Sequence, residues 1–110
     1  MTTDKQQVKR IENLREEEMR RDEAALRYLI GDERGRWFLS RMLERCHVFN
    51  MMTGDVNQIL FWEGERAVGV ELYGNIRTLA AIDETGQSLK DLQTAEREYG
   101  AFLARYRGKE

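Results

Sequence analysis

The chain contains no proline, one cysteine and one histidine in 110 residues. Each scarcity excludes something. Without proline, no helix is ended by a missing backbone donor, so stops must come from glycine and turn chemistry. A single thiol, Cys46, cannot close an internal disulfide. One cysteine beside one histidine, His47, makes a poor metal site. No window approaches the roughly 20 apolar residues a membrane span needs. The opening Met1-Thr2-Thr3-Asp4-Lys5-Gln6 lacks the apolar core of a secretory signal. Neither phosphate-loop pattern occurs: Gly64 and Gly69 have the gap of one, but Val70 and Glu71 follow where Lys and Ser or Thr are required. The expectation is a chain inside a cell, with no membrane, metal or cofactor.

Charge is plentiful. Asp, Glu, Lys and Arg make up 35% of the residues, with a formal net charge of −2. A basic protein that coats nucleic acid does not look like this. The length suits one compact domain. The high charge places much of the chain on solvated helix faces or in an arm.

Four helical segments are predicted, giving an all-α bundle of about four helices. The first spans about Asp4 to Ile30. Up to residue 20 it reads as a charged helical arm or flexible tail, with a thin stripe of Val8, Ile11 and Leu14 and ion pairs such as Glu17 with Arg21. Residues 21–108 form the single helical domain. Gly31 is the expected stop and Asp32 the cap of the second helix. There Phe38, Leu39, Met42, Leu43 and Cys46 share one face. Val48 and Phe49 should fold back as an apolar lid, followed by a loop over 50–55. The third helix starts at Asp55, with Gln58 in a capping-box position, and runs to about Ile82. Its core face is read as Phe61, Gly64, Val68, Leu72, Ile76 and Leu79, with Gly64 in close contact with another backbone. After the turn Asp83-Glu84-Thr85-Gly86, Ser88 caps a fourth helix, with Leu89, Leu92, Ala95, Tyr99, Phe102 and Tyr106 in a stripe and Gly108 at its end. The second and third helices are expected at the centre of the bundle.

Few residues suggest chemistry. Cys46 and His47 are adjacent, so on a helix their side chains diverge by about 100° and do not form a nucleophile–base pair. Cys46 reads as core and His47 as a helix-end residue. Glu63, Glu65, Arg66 and Glu71 lack a partner motif and read as ion pairs, with Arg66 or Arg36 anchoring a contact between helices. Trp37, Trp62, Phe61 and Tyr73 would stack on bases only if exposed beside Arg34, Arg36 and Arg41, and nearby acids would repel phosphate. The arm resembles a helix-in-groove or coiled-coil seam. The candidate partner-binding residues are therefore Val8, Ile11, Leu14, Arg15, Arg36, Trp37 and Trp62.

Three motifs carry a resemblance: Gly35-Arg36, then Leu43-Glu44-Arg45-Cys46-His47-Val48-Phe49, then Glu63-Gly64-Glu65-Arg66-Ala67-Val68-Gly69. In this order, over Asp22 to Leu79, they resemble a family of small proteins of tailed bacteriophages, first catalogued in a Bordetella podophage. Its pattern has glycine where this chain has His47. The resemblance implies a phage gene, often near the portal and capsid genes, and no catalytic residues. The expectation is a non-enzymatic virion structural or assembly component in the virion or host cytoplasm. It would act through protein contacts with portal or capsid components, or as a homo-oligomer. The alternatives are a small effector that inhibits a host protein, or a nucleic-acid-binding accessory protein, the latter disfavoured by charge.

Overall fold

The computed structural model describes residues 3–49 and 55–107. Among them are four helices and no strand: α1 (Asp4–Gly31), α2 (Glu33–Arg45), α3 (Val56–Ile82) and α4 (Gln87–Tyr106). The all-α bundle is thus as the sequence predicts. Most of the expected loop, over residues 50–54, and the expected stop at Gly108 lie outside the described residues.

Aspartate does much of the punctuation that proline would otherwise supply. Asp32 is extended, ends α1 through its N–H on the Leu29 carbonyl, and caps α2 by accepting from the Arg34 and Gly35 amides. Gly31 is the last helical residue, and the chain leaves α1 without the left-handed glycine a helix stop usually uses. Asp55 caps α3 by accepting from the Gln58 amide at 2.8 Å. Thr3 and Gln6 form a reciprocal capping box at the start of α1.

Ser88 is not the cap of α4. Gly86 holds that place at φ 74°, and Ser88 lies inside the helix, buried. Both its amide and its hydroxyl donate to Asp83 Oδ2, at 2.9 and 2.7 Å. The acid five residues upstream thus satisfies one of the orphan amides in the first turn of α4.

The core consists of Ile30, Leu39, Leu43, Val48, Ile76, Leu79, Leu92 and Ala95. Every helix contributes, and α4 packs on the other three. The second and third helices are therefore not the centre by themselves: α2 meets α4 more extensively than it meets α3. Four expected core residues, Phe38, Phe49, Phe61 and Val68, are mostly exposed. On α4, Tyr106 of the stripe is likewise mostly exposed and Leu89 nearly half so. Phe38 sits at the edge of a face whose middle is Gly35, Leu39 and Leu43 at steps of four. On α3, Leu72, Ile76 and Leu79 are covered as expected, and the departures are Phe61, Gly64 and Val68 in its first half. Gly69, Ile76 and Leu79 are buried and Trp62, Leu72 and Tyr73 half-buried, whereas Leu60, Phe61 and Val68 face outward. The first half is apolar on both sides, so periodicity does not mark the covered one.

The molecule is long for its mass. Its radius of gyration is 18.0 Å, against about 13 Å for a compact chain of this length. The charged half of α1 is exposed and carries pairs such as Glu17 with Arg20 and Arg21.

Hydrogen bonds from Ser88 and Thr85 hold the Asp83 carboxyl well below the usual carboxylate range. Its folded pKa lies below its unfolded one, so its contribution to stability is present above about pH 4 and lost as the pH falls. Thermal unfolding of Asp83→Asn should show a lower melting temperature at neutral pH and a flatter acid limb than the parent. Superimposable acid limbs would refute the role given to this carboxylate.

Candidate functional site

The three motifs lie at the joints of the bundle. Gly35 occupies the first turn of α2, directly against the end of α1. A Cβ there would be 2.1 Å from the Leu29 carbonyl oxygen, so only glycine permits this elbow. Arg36 then turns across it. Its guanidinium donates to the Ile30 carbonyl at 3.3 Å and to both carboxylate oxygens of Glu98 on α4, at 2.6 and 3.4 Å. The Glu98 hydrogen bond and charge raise the Arg36 pKa above its ordinary value. Arg36, named from sequence as one of two candidate anchors between helices, makes that contact.

The second motif ends α2. The His47 amide donates to the Glu44 carbonyl at 3.0 Å and the Val48 amide to the Leu43 carbonyl at 3.2 Å. These are the two bonds of a Schellman motif, with Cys46 as the cap. The motif requires a left-handed residue after the cap, and His47 has φ 58°. Glycine is the usual choice there because it has no Cβ penalty. Where the resemblance's pattern has glycine, this chain has a histidine whose ring is occupied: it stacks on Trp62 at 4.6 Å and approaches Glu65 at 3.5 Å. Val48 is thereby turned into the core beside Leu43, the hydrophobic contact that accompanies such an ending.

The third motif receives that turn. A Cβ at position 69 would lie 2.5 Å from both Cys46 Cβ and Val48 Cγ2. Gly69 is therefore the site of close approach. Gly64, expected in that role, has nothing within 4 Å. The sequence signal was present, since both glycines belong to one motif, but spacing alone does not choose between them.

The candidate partner-binding residues do not form one surface. Val8, Ile11, Leu14 and Arg15 are exposed on α1. Arg36 is engaged with Glu98. Trp37 packs edge-on against Phe102 at 4.7 Å and near Tyr99 at 5.7 Å, beneath Arg41. Trp62 is stacked on His47. Glu44 was not singled out from sequence, yet it bonds both Tyr99 and Arg107 and so ties α2 to the end of α4. Above it opens an apolar groove of about 720 Å³, lined by Leu39, Leu43, Tyr73, Ile76, Leu92 and Leu103. Among the described residues, no three His, Cys, Asp or Glu side chains are grouped to hold a metal ion. No described helix is long and apolar enough to cross a membrane.

A family model described as Bbp19-like phage protein matches residues 26–91, more than half of the chain. The chain belongs to this family. The match contains all three motifs and their joints. It extends past Leu79 into the first residues of α4, further than the resemblance reached, and begins after the charged part of α1. The chain matches no curated protein and no solved structure.

Two variants test the joints. Gly69→Ala should destabilise the fold by about 1–3 kcal/mol through overpacking, whereas Gly100→Ala, in open space on α4, should stabilise it by about 0.5–1 kcal/mol. Urea unfolding measures both, and equal effects would reject the close approach. His47→Ala loses the Trp62 stack and keeps the left-handed strain, while His47→Gly loses the stack and relieves the strain. In the same assay the glycine variant should be the more stable of the two by about 1 kcal/mol, and an alanine variant as stable as the glycine variant would argue against a strained residue 47.

Proposed function

We propose that this phage protein is a structural or assembly component of the virion, acting through protein contacts and not by catalysis. One observation carries the reading. The chain exposes 8826 Å², whereas a compact monomer of 13.0 kDa exposes about 6,300 Å². Part of the surplus is apolar: Leu60, Phe61, Val68, Phe49 and Phe38 are all mostly exposed. Exposed apolar surface on this scale marks a partner surface. The arm adds a second one, with Val8, Ile11 and Leu14 each more than half exposed along one side of α1.

The joints support the same reading. The motif residues are spent on helix ends, close backbone approach and ion pairs, and the polar groups Glu44, Tyr99 and Arg107 beside the groove bond one another. The ring of His47 is held by Trp62 and Glu65. That leaves protein contact as the work of the outer surface, with portal or capsid components, or further copies of the chain, as partners in the virion or in the infected host's cytoplasm.

Mass spectrometry of purified virions should detect the protein. Absence from virions, and from capsid precursors isolated during infection, would overturn the proposal.

A further inference from the structure

We propose that the groove between α2, α3 and α4 receives the N-terminal arm of a second copy of this chain. This deepens the protein-contact reading above, on which it rests, by naming the surface and its occupant.

The arm supplies a helical plug. At about 100° per residue, Val8, Ile11 and Leu14 fall within an arc of about 120° on α1. Their exposures are 52%, 51% and 60%. Leu26 and Leu29, which pack against the core, lie on the same arc. The side of α1 that the bundle covers thus continues, uncovered, along the arm. Amphipathic helices dock by inserting residues of this spacing into an apolar groove.

The groove has matching relief. Leu39, Leu43 and Ile76 form its floor. Phe49, which is 67% exposed, packs edge-on against Tyr73 at 5.1 Å and forms one wall. On the α4 side Glu96, Gly100 and Ala104 follow at steps of four, so they share one row of the helix. A Cβ at Gly100 would meet nothing within 4 Å. That low lip lets an incoming helix lie close to α4.

The arm cannot reach its own groove. α1 is one unbroken helix, and it borders the groove only at Ile30. At about 1.5 Å per residue, Ile30 is about 24 Å from Leu14 and about 33 Å from Val8. Plug and groove of one chain are held apart, so they meet only between chains.

Charge selects the arm as the occupant. Over residues 1–15, Lys5, Lys9, Arg10 and Arg15 stand against Asp4 and Glu12, a surplus of two positive charges in a chain whose net charge is −2. The remainder of the chain is therefore acidic. Of the charged residues lining the groove, Glu44 and Glu96 outnumber Arg107. Arg107 is engaged by Glu44, which leaves the Glu96 carboxylate for the incoming cations. Arm against body is the attractive combination. Unlike surfaces meet in such a contact, so each bound chain presents a further arm and a further groove, and the assembly grows to a ring or a filament.

Sedimentation equilibrium of the full chain should give a mean mass above the 13.0 kDa of one chain, rising with concentration. Ile11→Asp spoils the plug and Gly100→Arg fills the groove. Each alone should sediment as a single chain with unchanged helical circular dichroism, since both sites are exposed and arginine is a better helix former than glycine. An equimolar mixture of the two should regain a complex of two chains and no larger one, because the intact arm of the Gly100→Arg chain meets the intact groove of the Ile11→Asp chain. Leu14→Asp with Ala104→Arg is a second pair that should behave alike. A parent of single mass would overturn the proposal, as would a mixture that stays at single mass. So would association of either variant alone: an arm-to-arm contact leaves Gly100→Arg associated, and a groove-to-groove contact leaves Ile11→Asp associated. Association in solution without the protein in virions would keep this contact and reject the particle role, while a virion protein of single mass would do the reverse.

Discussion

The missing side chain at Gly69 sets the distance between the end of α2 and the middle of α3. With no Cβ in the way, the turn Cys46-His47-Val48 lies directly on the backbone of α3, and Val48 fills the space beside Leu43. Any larger residue would push the turn outward and withdraw Val48 from a core that, among the described residues, has only eight buried apolar side chains. A core that small has little redundancy, because each buried aliphatic side chain contributes about 1.5–3 kcal/mol against a net stability of about 5–15 kcal/mol. The elbow at Gly35 works by the same means at the other end of α2: a glycine where two backbones meet, followed by an arginine that ties the joint to α4.

The family's motifs therefore read as architecture. Gly35-Arg36 makes the elbow, Leu43 to Phe49 makes the helix ending, and Gly69 receives it. Chain stops in this proline-free protein fall to aspartates with extended backbones at 32, 55 and 83, and to left-handed residues at 47 and 86. These devices leave the outward surfaces of α1 and α3 free of structural duty.

His47 shows how a local rule can yield to its surroundings. A left-handed histidine carries a conformational penalty that glycine avoids. Stacking on Trp62 and proximity to Glu65 oppose that penalty. The ring thereby links the end of α2 to the first half of α3, a link that a glycine at this position would lack.

Helix number, helix limits and the caps of α2 and α3 were legible in the chain, because capping depends on residues within four positions of one another. Asp32, Asp55, the run to Ile82 and the buried positions Leu39, Leu43, Ile76, Leu92 and Ala95 all follow from local spacing. The exposure of the first half of α3, the central place of α4, the partner of Ser88 and the choice between Gly64 and Gly69 did not. Phe61 and Val68 have the right periodicity for a core, yet they stay exposed in the first half of α3, where the Cys46–Val48 turn packs on Gly69 instead. Sequence by itself determined where the helices begin and end, through short-range hydrogen bonds. Tertiary structure alone decided which residues in the first half of α3 are covered, since that depends on a steric fit between residues more than twenty positions apart.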